Sequence, residues 1–201
     1  PLSLVLDDLG IYYDPTFESR LERLIKSRAK LRPDQALRAR KLIDEITAKG
    51  VTKYNLGGAV PVLPDGRKLL VPGQVEDDAS IRLGAGDVNT NLALLQAARA
   101  ANPTAVIVFK PHPDVEAGLR HGAVPPEALV GLADVLVENA SAEALLAEVD
   151  EVWTMTSLLG FEALLRGIKV TTLGLPFYAG WGLTRDHRPA PPWRQARPDL
   201  L

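Results

Sequence analysis

The sequence predicts an α/β fold, a doubly wound parallel sheet preceded by a hairpin and a helical arm. Two observations carry this. From Lys68 onward, short apolar runs alternate with helical segments, the pattern of parallel strands joined by crossover helices. The runs are LLVPG (69–73), VIVF (106–109), DVLVE (134–138), EVWTM (151–155) and KVTTLG (169–174), and NTNLALLQAARAAN, SAEALLAEV and SLLGFEALLRG lie between them. Before Lys68 the periodicity is instead helical.

In chain order, LSLVLDDLGIYYD reads as two short strands around a turn at Gly10. A helix follows in DPTFESRLERLIKSRAK, with Asp14 as N-cap and Pro15 in the first helical position. Phe17, Leu21, Leu24 and Ile25 form its apolar stripe. A second helix is expected over 34–49, with Ala36, Ala39, Ile43 and Ile46 on one face and Gly50 as its stop. Residues 51–68 are rich in glycine and proline and read as a connection. The tail from Arg188, RPAPPWRQARPDLL, reads as an extended linker. The expected organisation is therefore a hairpin and arm (1–67), a doubly wound, Rossmann-like domain (68–187) and a proline-rich tail (188–201).

Composition removes several function classes. No apolar run approaches the ~20 residues of a membrane-spanning helix. The absence of cysteine excludes disulfides, thiolate zinc sites and cysteine nucleophiles. A net charge of −2 lacks the basic surplus of a nucleic-acid binder. The start, PLSLVLDDLG, has neither a basic region nor a cleavage signal. It also lacks methionine, so the chain is expected to be a piece of a longer protein.

Doubly wound sheets bind ligands outside the carboxyl ends of their strands, so chemistry is sought there. After the first run, QVEDDAS places Gln74, Glu76, Asp77, Asp78 and Ser80 together. Neighbouring carboxylates suit a metal or sugar hydroxyls, or simply a solvated loop. After the second run, KPHPD presents Lys110 and His112. Lysine offers a point charge to a phosphate, and histidine can donate a hydrogen bond or a proton to it. The alternative is an exposed loop histidine between two turn prolines. After the fourth run, Thr154, Thr156 and Ser157 lead into a helix whose N-terminus suits an anion. Glu162 lies inside that helix among apolar neighbours, so it needs a partner, either a ribose diol or a surface cation. After the last run, LGLPFYAGWGLTRDH carries Phe177, Tyr178 and Trp181 and either packs on another element or lines a sugar pocket.

Three readings follow: a nucleotide-sugar glycosyltransferase of the GT-B kind, a non-catalytic nucleotide-binding or regulatory domain, and a structural assembly domain. The second gives His112 and the aromatic loop no task. The third leaves the polar strand ends unexplained.

Four motifs, LVPGQVEDDASI, KPHPDV, TSLLGFEALLRG and PFYAGWGLT, stand in this order. Together they resemble the capsule polysaccharide biosynthesis family, and within it the KpsC-type β-Kdo transferases. The resemblance covers nearly the whole chain, PLSLVLDDLGIYYDP included. It implies a retaining GT-B enzyme that uses CMP-Kdo to build a poly-Kdo linker on a phosphatidylglycerol-type lipid. The site of action would be the cytoplasmic side, at the inner face of the membrane. The implied partners are CMP-Kdo, a lipid or Kdo-lipid acceptor, the remainder of the full-length enzyme and capsule export machinery, with no nucleic acid. No metal or cofactor beyond the donor is implied. This chain would be the donor-binding half of one module.

Matched by position, His112 and Pro113 fall on a His-Pro motif that faces the CMP phosphate, with Lys110 beside it. Thr156 and Ser157 fall at the phosphate-binding helix start, and Glu162 falls where the ribose is held. Gln74, Asp78 and Ser80 belong to a Q-x-x-x-D-x-S pattern near the donor. One departure matters: the family resembles an E-D-G-F-type acidic motif upstream of PLSLV. The nucleophile is therefore expected outside this chain, with Asp78 as the alternative and His112 assisting departure of CMP.

Overall fold

Each predicted run becomes a strand in the computed structural model, which describes residues 6–27, 31–53 and 58–196. The strands are β1 (Lys68–Pro72), β2 (Val106–Lys110), β3 (Val135–Leu136), β4 (Glu151–Thr154) and β5 (Lys169–Thr172). A sixth, β6 (Arg185–Asp186), was not predicted. Its two residues are polar and carry no apolar run, and pairing with Thr171 and Thr172 of β5 defines it. All pairings are parallel, in the order β3-β2-β1-β4-β5-β6. The chain steps outward from β1 to β3, then returns to lay β4 against the other side of β1. That reversal is the topological switch point, where the connections leave on opposite faces and open a crevice.

Both faces of the sheet are covered, because side chains alternate along each strand. Leu69, Val71, Ile107, Phe109 and Trp153 point to one face and pack with Leu94, Leu95 and Ala98 of α4 (Asn91–Ala101). Leu70, Val108, Val152 and Val170 point to the other. They meet Leu145 and Leu146 of α7 (Ala142–Glu148) and Ala163 and Leu164 of α8 (Leu158–Leu165). Full burial of one such side chain is worth about 1.5–3 kcal/mol, so the central strands dominate stability. At the amino end of the sheet Glu151 is buried and ties three strands. It accepts from Trp153 Nε1 at 2.8 Å, from Thr171 Oγ1 at 2.7 Å and from Arg67. Burial pushes its carboxyl up, but these bonds prevail and hold it below the usual range.

The remaining helices are α1 (Arg20–Ser27), α2 (Pro33–Ala48), α3 (Ala79–Gly84), α5 (Pro113–Glu116) and α6 (Pro126–Leu129). In α2, Ala39, Ile43 and Ile46 are half-buried on the expected face, whereas Ala36 is exposed. Among the described residues no helix is long and apolar enough to cross a membrane.

Three expectations before and after the sheet are corrected. The predicted hairpin is not formed in its described part. Residues 6–13 make bends and turns, with the Asp7 carboxylate accepting from Leu9, Gly10 and Arg20 backbone N–H groups; residues 1–5 lie outside the described residues. The first helix begins at Arg20 instead of Pro15. Asp14 spends its carboxylate on Thr16, and Ser19 is the cap, in a reciprocal box with Glu22 (Ser19 N to Oε2 2.7 Å, Glu22 N to Ser19 Oγ 3.2 Å). Its expected stripe is largely solvent-facing, Phe17 being 66% exposed.

The proline-rich segment is the third. Over 188–196 it is packed, not free. Arg188 Nη1 donates to the Gly84 and Ala85 carbonyls at 3.1 and 3.0 Å. Arg194 is buried against Glu22, Nε to Oε1 2.6 Å, and its Nη1 donates to Pro176 O and Ala179 O at 2.7 and 3.1 Å. Trp193 Nε1 adds a bond to Glu22 at 3.1 Å. The tail thus fastens the arm to the loop after β5.

Candidate functional site

A cavity of about 370 Å3 opens at the carboxyl ends of β1, β2 and β4, within the usual size of a ligand pocket. Every site residue expected from the sequence lines it: Gln74, Asp78, Ser80, Lys110, His112, Pro113, Thr156, Ser157 and Glu162. Three motifs, up to 88 positions apart from Gln74 to Glu162, meet there because three strands end side by side.

The floor is Gln74. Its Oε1 accepts from Thr154 Oγ1 at 3.1 Å and from Thr156 N at 3.0 Å, and its Nε2 donates to Thr156 Oγ1 at 2.9 Å. This side chain bridges β1 and β4 where their ladder has ended at Leu70 and Val152. Asn91 holds Gln74 from behind, accepting from its N–H and donating to its carbonyl, both at 2.8 Å. Gln74 and Thr156 are therefore built into each other, which positions the backbone around them.

The acidic loop disperses its carboxylates. Glu76 accepts from Asn91 N at 2.7 Å, and Asp77 pairs with Arg120 at 3.0 Å. Asp78 caps α3, its Oδ1 accepting from Ser80 N and Ser80 Oγ at 2.8 and 2.7 Å. Of the three, Asp78 faces the cavity. Burial acts to raise its carboxyl, but the Ser80 bonds, aided by the Arg120 and Lys53 charges, hold it below the ordinary value. Among the described residues no group of three or more His, Asp or Glu is placed to hold a metal ion.

His112 follows β2 and caps α5, its Nδ1 accepting from Asp114 N at 3.2 Å. An accepting Nδ1 puts the proton of a neutral imidazole on Nε2. Burial lowers the pKa of His112, and it outweighs the upward pull of the Asp114 and Asp78 carboxylates. The side chain therefore presents a neutral N–H donor near pH 7. Pro111 and Pro113 fix φ on either side of it, and Lys110, 6% exposed, stands beside it at the strand end.

Ser157 caps α8, Oγ accepting from Leu159 N at 3.2 Å, while its N–H donates to Thr154 Oγ1 at 3.1 Å. The start of α8 thus points its unpaired-end dipole at the cavity. One turn on, Glu162 is 8% exposed and accepts from the Lys53 backbone N–H at 2.8 Å. Burial pushes its carboxyl above the ordinary value, against the pull of that bond and of Arg166. Glu162 faces the cavity, with the Lys53 and Arg166 charges in range of its carboxylate.

The aromatic loop divides between its two expected roles. Trp181 is buried and donates to Phe177 O at 2.8 Å. Tyr178 is buried, its hydroxyl pushed far up in pKa by burial, and bonds to Ser157 O past Gly160, where a Cβ would not fit. Phe177 lines the cavity and meets Tyr12 of the arm edge-on at 5.8 Å.

Sequence reasoning missed several lining residues. Lys53 and Thr52 come from the connection after α2, and Arg120 from a turn between Gly118 and Gly122. Tyr12 and Tyr13 come from the arm. None lies at a strand end. The glycines flanking Arg120, both with left-handed φ, are the one local signal that its loop turns back.

Known proteins supply the context for this arrangement. The family model described as "Capsule polysaccharide biosynthesis protein" matches residues 59–200. The chain belongs to the capsule polysaccharide biosynthesis family. The resemblance read from the four motifs therefore holds. Among curated relatives, the capsule polysaccharide modification protein LipA of Neisseria meningitidis serogroup B is 49% identical over 95% of this chain and 27% of its own length. The lipopolysaccharide-processing protein LpsZ of Rhizobium meliloti is 45% identical over all of this chain and 46% of its own.

Two solved structures of KpsC from Thermosulfurimonas dismutans share the family fold. The β-Kdo 2,4 transferase matches at TM-score 0.86 and 35% identity, over 98% of this chain and 62% of that one. The β-Kdo 2,7 transferase matches at TM-score 0.79 and 38% identity, over 94% and 58%. The chain thus spans about a quarter to a half of the curated relatives and roughly three fifths of the solved chains.

Proposed function

We propose that this chain is the donor-binding half of a GT-B β-Kdo transferase that takes Kdo from CMP-Kdo. The acceptor is a lipid-linked Kdo chain on a phosphatidylglycerol-type lipid at the cytoplasmic face of the membrane. It extends the linker that carries a capsule to its export machinery. One observation carries the reading: residues from four family motifs line a single cavity at the switch point.

The arrangement of the cavity supports the following roles. The α8 start at Ser157, the Lys110 ammonium and the His112 Nε2–H stabilise the phosphate as CMP leaves. Glu162 takes the ribose hydroxyls. Within the chain, Asp78 is taken as the nucleophile: it lines the cavity after β1 with its carboxyl held below the ordinary value, whereas Glu162 is assigned to the ribose. Asp78 attacks the anomeric carbon of Kdo, and the bond from that carbon to the CMP oxygen breaks with its electron pair leaving on CMP. The acceptor hydroxyl then attacks the same carbon, loses its proton to a base and frees Asp78. Two inversions give retention. This choice departs from the expectation of a nucleophile upstream of the chain.

Titration calorimetry tests the reading: CMP should bind, with UMP and AMP at least ~10-fold weaker, as one lost buried hydrogen-bond contact requires. Equal binding of all three nucleotides, or of none, would refute it.

Glu162→Gln gives a second test with opposed outcomes. A charged acceptor lost from a ribose diol should weaken CMP by about 10- to 100-fold. Stability should move the other way. A carboxyl whose folded pKa is raised makes the folded state bind more protons than the unfolded one above pH 4.5, so stability falls as pH rises through that window. The amide removes this penalty. The melting temperature should rise at pH 7.5 and stay unchanged at pH 4. A fall at pH 7.5 would show that Glu162 is held as a structural ion.

A further inference from the structure

Lys110 and Glu116 are left incomplete by the rest of the protein. Their side chains are buried, 7% and 10% exposed, with Nζ 3.8 Å from Oε1. That separation is beyond hydrogen-bond reach. Neither atom has a hydrogen-bond partner among the described residues. A buried ammonium with none of its three donors used is unfavourable by itself. Such an atom lining a cavity marks a place where a ligand supplies the missing acceptor.

The two residues are not equivalent. Lys110 lines the cavity and Glu116 does not. The carboxylate stands behind the ammonium, and its second oxygen accepts from Asn139 N at 3.4 Å. Asn139 has a left-handed φ of 53°, and the chain there turns into the wall made by Ala140 and Ala142. Glu116 therefore stands between the lysine and the backbone that turns into that wall. A carboxylate 3.8 Å from Nζ attracts it without consuming its N–H groups, so they stay available to an anion.

We propose that Glu116 is a positioning residue that holds the Lys110 ammonium at the phosphate position, acting on the bound anion through Lys110 alone. The inference rests on the reading of the cavity as a CMP site. It predicts a dependence on the phosphate that a purely structural role would not produce, because cytidine shares every contact except that one.

The test is binding of CMP and of cytidine by the intact protein and its variants. Glu116→Gln should weaken CMP about 10-fold, the low end for a lost hydrogen bond to a charged group, and leave cytidine within about twofold. Lys110→Met should do the same, and adding Glu116→Gln to it should cause no further loss of CMP, since the two act as one unit. Glu116→Asp keeps the charge but retracts it, so it should weaken CMP about threefold with cytidine unchanged; it serves if the glutamine variant does not fold.

Parallel losses of CMP and cytidine in either Glu116 variant would overturn the proposal, as would unchanged or tighter CMP binding. Additive losses in the double variant would overturn it too. Failure of the native protein to bind CMP or cytidine would instead remove the nucleotide reading itself, and the inference with it.

Discussion

Asp78→Asn in the intact enzyme is expected to lower Kdo transfer by about 1,000-fold or more, the scale of a lost covalent nucleophile, while CMP still binds. The amide keeps the cap on α3, because its oxygen can still accept from Ser80 N and Oγ. Folding and the cavity wall should therefore survive, and the loss should fall on turnover. His112→Ala should cost about 100-fold, in the range of one lost acid or oxyanion-type donor. The two residues face one cavity and sit within each other's electrostatic range, yet they do different work. Mass spectrometry of native enzyme quenched during turnover should find one Kdo on the peptide carrying Asp78. Near-native transfer by Asp78→Asn would return the nucleophile to an upstream carboxylate.

Arg194→Ala is expected to destabilise the fold by about 3–5 kcal/mol, the penalty for leaving one member of a buried ion pair alone. Glu22 and Arg194 side chains are 1% and 0% exposed. Removing the guanidinium leaves the buried Glu22 carboxylate without its cation and takes a donor from the carbonyls of Pro176 and Ala179 together. Those carbonyls flank Phe177, so CMP affinity should fall as well, through the loop and not through any contact of Arg194 with ligand. Urea denaturation measures the first effect. A change below about 1 kcal/mol, the size of a surface pair, would mean that the clasp opens in solution. Replacing Glu22 by Gln alongside should recover part of the loss.

Legibility in the sequence followed the range of the forces involved. Strands β1, β2, β4 and β5 were readable because their burial on both faces demands continuous apolar runs. The site was readable because these folds put chemistry after such runs, so Gln74, Lys110, His112 and Ser157 could be picked by position. What escaped was set by partners far away. Glu22 looks like a polar-face residue of a surface helix, and its burial depends on Arg194, 172 positions later. The same pair turns a proline-rich tail, which composition reads as a linker, into packed structure. At closer range, Asp14 and Ser19 are both acceptable caps. The reciprocal bond from Ser19 to Glu22 decides between them. Lys53 and Arg120 reach the cavity from loops that carry no periodicity at all.

The bridge made by Gln74 has a consequence for chemical intervention. With its carbonyl and amide groups already engaged across β1 and β4, the cavity floor needs no reshaping to receive a molecule. A rigid compound shaped to it would forfeit little freedom on binding, since the receptor arrives pre-organised. Fragments soaked into crystals should find the floor in one arrangement, with the Lys110 ammonium beside it. That combination favours small inhibitors of surface-coat assembly that hold an anion to the lysine and otherwise fit a fixed mould.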